Sequence, residues 1–260
     1  LVICTFGHIT QTKLGTTLLS AFKACQFPTD QRVKLVFVGE FNSFYEAEFQ
    51  IENMSETGKV SQVTGWVDTH DYLDYLLSTD IAVQLRSMSR GETSASVLDC
   101  LTHGIATIVN AHGSMLELDP ETVMGISDPF FEIELTRALE QLARDANLRA
   151  DIGAKAKREI GRLHAPQHCA ELYHQAIENS ARPMWHAINQ LPNKLADLPL
   201  IEADHFALAT AMAHNFPPHP RQKSLFVDVT AVVLNDIHTG IQRVARAILK
   251  ALLLDRDKSY

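Results

Sequence analysis

The stretch from Asp80 to Val109, DIAVQLRSMSRGETSASVLDCLTHGIATIV, decides the fold class. It begins with an apolar run typical of a buried strand, DIAVQL, and ends with another, IATIV. Between the two runs, the spacing of the apolar residues predicts a helix that ends near His103-Gly104. A strand, a helix and a second strand within roughly 30 residues is the repeating unit of a parallel sheet.

Similar runs flank this unit on both sides. Strands are predicted at Leu1–Phe6, Lys34–Gly39 and Val60–Val67, with a weaker one at Val123–Ile126. Helices are predicted at 14–25, through the forties and fifties, and at 70–78, 131–142, 147–161 and 166–179. This alternation predicts an α/β domain over residues 1–180, a doubly wound parallel sheet with helices on both faces.

The sequence changes character near Arg182-Pro183. Residues 181–222 are predicted to form a polar, proline-containing linker with one helix at about 202–214. Residues 223–260 are predicted to add a strand, Ser224–Leu234, a turn and a helix. This strand–helix tail is typical of the first βα unit of a second sheet, although it could also complete the first domain.

Composition excludes several classes of protein. The chain is 46% hydrophobic and 21% charged, with 23 basic and 31 acidic residues and a formal net charge of -8, so a nucleic-acid-binding surface is not expected. No run approaches the roughly 18 apolar residues of a membrane-spanning helix, and no signal peptide is visible. We expect a cytoplasmic protein of undetermined oligomeric state. The chain opens on a strand rather than on methionine, so it is expected to be part of a larger protein.

Motifs for metals and common cofactors are missing from the sequence. Its cysteines (Cys4, Cys25, Cys100 and Cys169) form no CxxC pair and are expected to be buried and reduced. The 12 histidines include no HExxH, so no metal site is expected. The first strand is followed by neither GxGxxG nor a P-loop, and no GxSxG is present, which disfavours dinucleotide oxidoreductases, nucleotidases and serine hydrolases.

Parallel sheets bind ligands at the carboxyl ends of their strands. The loops expected to line a site follow Phe6, Gly39, Val67, Leu85 and Val109.

The most informative of these loops leads into the helix that begins at Thr93, Ser94 and Ala95. Free backbone N–H groups at a helix start, together with the helix dipole, favour a diphosphate. Asp99, further along the helix, could accept hydrogen bonds from the vicinal hydroxyls of a ribose. Alternatively, Glu92, Thr93 and Ser94 only cap the helix.

The first loop, Gly7 to Lys13, places a glycine directly after a strand and a lysine six residues later. Lys13 could therefore set a positive charge on the same phosphates, or be a solvated loop lysine.

The order and spacing of six segments carry a resemblance to a known family: the first loop, VFVG, VTGWV, the acidic loop, VLDCLTHGIATIV and the GS turn. Through these segments the chain resembles the C-terminal domain of retaining family 4 (group 1) glycosyltransferases with the GT-B fold. The resemblance covers residues 1–180. It implies that this domain binds a nucleotide-sugar donor, GDP- or UDP-linked, without a metal or other cofactor.

The resemblance also assigns roles to acidic residues. In the family, a Glu-x7-Glu motif places its first acid near the donor sugar and its second on the ribose. Asp99 matches the second acid, and Glu92 stands in for the first with one residue fewer between them. Glu92 and Lys13 are thus the implied catalytic residues, and the shorter spacing is a departure from the family.

The remaining implied donor-binding residues follow the same loops. Family members carry an arginine and a lysine facing the diphosphate; Lys13 matches the lysine, but His8 replaces the arginine, for which Arg86 or Arg90 could compensate. Residues at the other strand ends and at the helix start complete the implied donor site: Gly7, Gly39, Trp66, Val67, Thr93, Ser94 and Ala95.

The implied activity is transfer of a sugar to a glycan or lipid-linked acceptor with retained configuration. Thr239–Val244 of the tail, TGIQRV, resembles the start of the acceptor-binding domain of a second such enzyme. Tandem units of this kind resemble bacterial mannosyltransferases of polysaccharide biosynthesis, which can associate with the inner face of the membrane. Since a GT-B site lies between two domains, this chain alone is expected to be inactive.

Two other functions stay open from the sequence. The altered acidic motif and His8 favour a degenerate, non-catalytic scaffold domain. A nucleotide-sugar 2-epimerase would use the same fold.

Overall fold

The computed structural model describes residues 1–41, 59–196, 199, 201–215, 227–234 and 240–254. It divides into two compact units, Leu1–Ala170 and Glu171–Tyr260. The helix predicted in the forties and fifties lies outside the described residues.

The first unit alternates strands and helices along the chain, as the sequence predicts. Its strands are β1 (Val2–Phe6), β2 (Val33–Val38), β3 (Lys59–Val63), β4 (Ile81–Gln84), β5 (Ala106–Asn110) and β6 (Met124–Ile126). Its helices are α1 (Gly15–Ala24), α2 (Thr69–Leu77), α3 (Ala95–Thr102), α4 (Glu132–Arg144) and α5 (Ala146–Leu163), with 3-10 turns at Gln11–Lys13 and Gly113–Glu117. A sixth helix, α6, spans Pro166–Ala196.

The six strands form one sheet in the order β3-β2-β1-β4-β5-β6. Every neighbouring pair is parallel; Ile3, for example, pairs with Leu35 of β2 and with Ile81 of β4. This is the strand order of dinucleotide-binding sheets, with a switch point between β1 and β4, because the chain winds outward in both directions from these two strands. The predicted doubly wound α/β fold is confirmed.

Alternate residues of the strands face two separate hydrophobic layers. On one face, Ile3, Leu35 and Ile81 pack in the cluster that includes the apolar sides of α1 and α4. On the other, Cys4 and Val36 pack in a cluster with residues of α2 and α3. Cys25 and Cys100 are also buried, and all four cysteines are free thiols, although Cys169 is only half-buried. Burial raises the pKa of Cys4 to about 11, as expected for a cysteine in an apolar core.

Helix α5 approaches the end of α3 at a contact between two glycines. Gly104, with a φ of 73°, follows α3, and a Cβ built on Gly153 of α5 would lie 1.9 Å from the Gly104 carbonyl oxygen. Only a residue without a side chain fits at position 153 without moving the two segments apart.

The second unit is helical where it is described, with α7 at Glu202–Asn215, α8 at Thr230–Leu234 and α9 at Gly240–Leu254. The helix expected at about 202–214 and the last helix of the tail are present. Helix α6 continues well past Arg182-Pro183, so the segment first assigned to the linker begins as helix. A proline disfavours a helix without excluding one, because its fixed φ is helical. The domain boundaries themselves remain a prediction.

The strand predicted at Ser224–Leu234 is wrong over its described part, 227–234, because Thr230–Leu234 forms α8 and the three residues before it form no strand; residues 224–226 lie outside the described residues. The Asp228 carboxylate accepts a hydrogen bond from the Thr230 N–H at 2.9 Å and starts this short helix. A strand needs a neighbouring strand for its backbone groups, and the described part of the second unit contains none. A helix satisfies these groups locally.

The glycine contact generates a prediction with a matched control in the same helix. Gly153→Ala is expected to lower the free energy of unfolding by about 1–3 kcal/mol, because the new methyl group overlaps the Gly104 carbonyl. Gly161→Ala has open space around it and is expected to raise stability by about 0.5–1 kcal/mol. Urea unfolding followed by circular dichroism measures both, and a stabilised Gly153→Ala would contradict the packing.

Candidate functional site

The site lies at the carboxyl end of the sheet, where β1 and β4 separate. The loop after β1 and the loop after β4 are tied together there, since the Ser87 N–H donates to the Thr12 carbonyl at 2.9 Å. Strand order places the opening of the crevice between these two loops. Most of the residues singled out from the sequence lie on these loops or on the strand ends beside them.

Lys13 folds back over the end of β1. It ends the 3-10 turn that starts α1, and its Nζ donates to the Phe6 carbonyl at 2.8 Å. Gly7 has a φ of 94°, and a Cβ on it would lie 2.6 Å from Lys13 Nζ. Glycine at position 7 therefore provides the space in which the ammonium group rests.

Arg86 is the second half-buried cation of the site. Its guanidinium donates from Nη1 to the Leu85 carbonyl at 3.1 Å and from Nη2 to the Ser94 hydroxyl at 3.0 Å. Burial lowers the pKa of Arg86. Burial, and then the positive charge of Arg86, lower the pKa of Lys13 to about 7. Two neighbouring half-buried cations favour the binding of an anion between them.

The start of α3 completes this surface. Ser94 occupies the N-cap position, but its hydroxyl makes no capping bond to the helix; it contacts Arg86 and lies 3.3 Å from Ser96 Oγ. The Ser96 hydroxyl in turn donates to Gln84 Oε1 at 3.1 Å. Thr93 and Ala95 are exposed. The first-turn N–H groups of an α-helix have no intrahelical acceptor, so this helix end adds positive potential beside Arg86.

Asp99 is connected to Lys13 through Phe6. The Tyr72 hydroxyl of α2 donates to Asp99 Oδ2 at 3.0 Å, and the Tyr72 ring contacts Phe6 edge-on with 5.4 Å between ring centroids. The Phe6 carbonyl accepts from Lys13. The two residues thus border the same strand end, and Tyr72 is a contact that sequence reasoning missed.

Glu92 is exposed and turned onto its own loop. Its carboxylate accepts from the Arg90 N–H at 2.6 Å, and its carbonyl accepts from the Ser114 hydroxyl at 2.9 Å. Hydrogen bonds from its own N–H and that of Arg90 lower the pKa of Glu92, which favours the charged form. Arg90 is also exposed, and its backbone rather than its guanidinium contacts Glu92.

Gly39 ties the β2 loop to the β1 loop. A Cβ on Gly39 would lie 2.3 Å from the Gly7 carbonyl oxygen, so the two loops touch through their backbones. The next residue of the first loop, His8, is exposed and faces Glu40, with 3.8 Å between Nδ1 and Oε1.

Trp66 and Val67 follow β3, further along the edge of the sheet. Trp66 is 73% exposed, whereas Val67 packs partly against the cluster of α2 and α3.

Three polar residues that sequence reasoning missed lie behind the Arg86 loop. Asn110, at the end of β5, is fully buried and hydrogen-bonds the Arg86 backbone. Asp128, after β6, contacts both Asn110 and His112. No pattern marked them, because their contacts join positions 16–24 residues apart in the chain.

One group among the described residues has a geometry that could hold a metal ion: His70, Asp71 and Asp74, all exposed on the first turns of α2. Exposed acidic groups of this kind are common without an ion, and no role is assigned to this group. None of the described helices is long and apolar enough to cross a membrane.

Comparisons with known proteins identify the family of this chain and agree with its fold. A family model described as glycosyl transferases group 1 matches residues 1–159. The HepE protein of Anabaena, solved in complex with UDP, aligns with a TM-score of 0.55 and 14% identity over 67% of this chain and 48% of its own. Sucrose-phosphate synthase of Thermosynechococcus elongatus aligns with a TM-score of 0.52 and 16% identity over 68% of this chain and 46% of its own.

A third structure is itself a single domain. The C-terminal domain of LpcC, a group 1 glycosyl transferase family protein of Francisella tularensis, gives a TM-score of 0.51 and 19% identity over 63% of this chain and 85% of its own. The present chain spans about half the length of HepE and of the synthase. A search of curated proteins returns no match. Because the family model covers more than half of the sequence, the chain belongs to the group 1 glycosyltransferases.

Proposed function

We propose that this chain supplies the donor-binding half of a retaining glycosyltransferase that moves a hexose from a nucleotide sugar to a glycan or lipid-linked acceptor. The observation that carries the proposal is that Lys13, Arg86 and the start of α3 come together at the adjacent ends of β1 and β4. A diphosphate is the part of a nucleotide sugar that these groups fit, because it is compact and carries several negative charges.

The unliganded site is electrostatically prepared for such a ligand. Burial and Arg86 hold the pKa of Lys13 near 7, so much of its charge is suppressed until an anion arrives. A bound diphosphate would restore the charge of Lys13 and pair with Arg86. In the transfer reaction the diphosphate leaves with added negative charge, and fixed cations and helix N–H groups stabilise it.

The other residues fit the remaining parts of the donor. Asp99, oriented by the Tyr72 hydroxyl, has acceptor capacity for the ribose hydroxyls. Trp66 offers an exposed aromatic face beside the base position. Glu92 would have to turn from the Arg90 N–H to reach the sugar, which fits its exposed position.

Two solved relatives of the fold support this assignment by analogy. HepE was crystallised with UDP and, in another structure, with UDP and glucose. The LpcC domain shows that a C-terminal domain of this size folds as a separate unit. UDP and GDP are therefore the probes for the donor site, with mannose as the sugar that the tandem arrangement favours. The acceptor would bind in the cleft formed with a second domain.

A non-catalytic donor-binding domain is the second candidate. It is favoured by the exposed Glu92, whose carboxylate contacts its own loop, and by His8, which pairs with Glu40 at the position where the family carries a phosphate-binding arginine.

Replacing Lys13 is expected to change stability and binding in opposite directions. Lys13→Met removes a buried charge, so below pH 7 the unliganded chain should melt at a higher temperature. The difference in melting temperature between Lys13→Met and the wild type should shrink as the pH rises from 7 towards 10.5, the ordinary pKa of lysine. Over this range the folded wild-type lysine is already neutral, and the cost of deprotonating the unfolded lysine falls. Binding of UDP or GDP should weaken about 10- to 100-fold.

Thermal shift and calorimetry measure these two effects. Lys155→Met is the control, since Lys155 pairs with Asp151 on α5 and should not affect binding. If Lys13→Met binds UDP and GDP as tightly as the wild type, the diphosphate does not bind at Lys13 and the proposed site is wrong.

Proton uptake provides a separate test of the Lys13 environment. At pH 8 a lysine with a pKa of about 7 is mostly neutral, and a bound diphosphate recharges it. Calorimetry of UDP binding at pH 8, in buffers of different ionisation enthalpy, should therefore show uptake approaching about 0.9 proton per site. The uptake should vanish in Lys13→Met; equal uptake in both proteins would assign the proton elsewhere.

The two acidic residues should separate binding from transfer in a protein that contains both domains. Asp99→Ala is expected to weaken UDP or GDP binding about tenfold, because it removes the acceptor for the ribose hydroxyls. Glu92→Gln should leave that binding unchanged and lower the rate of sugar transfer at least about 100-fold. Donor binding without transfer in the wild type would instead favour the non-catalytic domain.

A further inference from the structure

The buried amide of Asn110 makes three hydrogen bonds to two partners. Oδ1 accepts from the Arg86 N–H at 2.8 Å, and Nδ2 donates to the Arg86 carbonyl at 2.7 Å and to Asp128 Oδ1 at 3.1 Å. The residue is 0% exposed. One acceptor and two N–H donors are thus all satisfied, in a place where water cannot substitute for any of them.

This arrangement extends the sheet by one step. The pairing of β4 with β5 ends at Gln84 and Val109, and the next residue of β5 is Asn110. The Asn110 side chain carries the same amide group as the backbone, so it binds the N–H and the carbonyl of Arg86 as a neighbouring strand would. It thereby fixes the backbone of Arg86 just beyond the end of β4, where the chain would otherwise leave the sheet.

Asp128 reinforces the orientation of the Asn110 amide that the Arg86 backbone sets. A carboxylate only accepts, so Asp128 Oδ1 requires the NH2 side of the amide. Its other oxygen, Oδ2, accepts from Nδ1 of His112, and both side chains are about one quarter exposed, at 26% each. Asp128 thus joins the loop after β5 and the loop after β6 to the group that holds Arg86.

We infer that Asn110 and Asp128 are positioning residues for the diphosphate, an inference that rests on the proposed function. Neither residue contacts the ligand in this arrangement; they act through Arg86. With its backbone fixed on both sides, Arg86 reaches the Ser94 hydroxyl at the start of α3. A loosened Arg86 backbone would let the guanidinium leave the phosphate position while the nucleoside contacts remained intact.

The test compares a diphosphate with a nucleoside on the same variants. Asn110→Asp keeps the shape of the side chain but turns a carboxylate oxygen towards the Arg86 carbonyl and Asp128. UDP and GDP should bind about tenfold more weakly, whereas uridine and guanosine, followed by NMR, should change less than about twofold. A general loss of structure would weaken both kinds of ligand together and would overturn the inference.

Thr107→Val serves as the matched control. Thr107 is also fully buried in β5, but its hydroxyl donates to the Ile105 carbonyl and not to the Arg86 loop. It should lower stability and leave the ratio of UDP to uridine affinity unchanged. If Asn110→Asp does not fold, Asp128→Ala replaces it; this variant removes the second N–H bond of Asn110 together with the His112 contact, and should weaken UDP about threefold.

Compensation gives the sharpest readout. Adding Asp128→Asn to Asn110→Asp restores a donor opposite the new carboxylate and should recover several-fold of the lost UDP affinity. Asp128→Asn alone should leave the UDP affinity nearly unchanged. A double variant as weak as the single one, or an Asn110→Asp that binds UDP normally, would overturn the positioning role. A wild-type chain that binds neither UDP nor GDP would instead refute the proposed function.

Discussion

The proposed donor site depends on two positive charges held half-buried at the adjacent ends of β1 and β4. Burial lowers the pKa of both groups, and the positive charge of Arg86 lowers the pKa of Lys13 further. Such a pair costs free energy in the folded chain, because desolvated like charges repel. The fold tolerates it through neutral partners: the Phe6 and Leu85 carbonyls and the Ser94 hydroxyl. These partners orient the cations without neutralising them, although the exposed Glu92 carboxylate also acts on Arg86 and raises its pKa against the effect of burial.

The sheet explains why these groups meet. Adjacent parallel strands end at the same edge, so residues from loops far apart in the chain converge there. The backbones of the first two loops touch at Gly7 and Gly39, where neither position has room for a side chain. A third loop is held from behind by Asn110. Each of these three loops around the site is therefore fixed by backbone or amide contacts, which are short and directional.

Much of this architecture could be predicted from the sequence, because apolar runs report burial directly. All six described strands of the first unit coincide with such runs, and the edge that carries Lys13, Arg86 and Asp99 follows from their parallel order. Asn110, Asp128 and Tyr72 could not be predicted, because a single polar side chain carries no periodicity and its partner is set only by the fold. In the tail, the apolar run at Thr230–Leu234 was predicted as a strand but forms a helix. A strand requires a partner strand, and the run itself does not specify one.

The suppressed charge of Lys13 has a consequence for chemical labelling. An amine whose pKa is about 7 is about half unprotonated at neutral pH, and an unprotonated amine is a nucleophile. Ordinary surface lysines, which titrate about three units higher, remain inert under the same conditions. An aldehyde or active ester that carries a phosphate would be drawn to the cationic strand end and react there first. The lowered pKa on which the proposed donor site rests therefore also makes Lys13 the natural attachment point for a covalent probe.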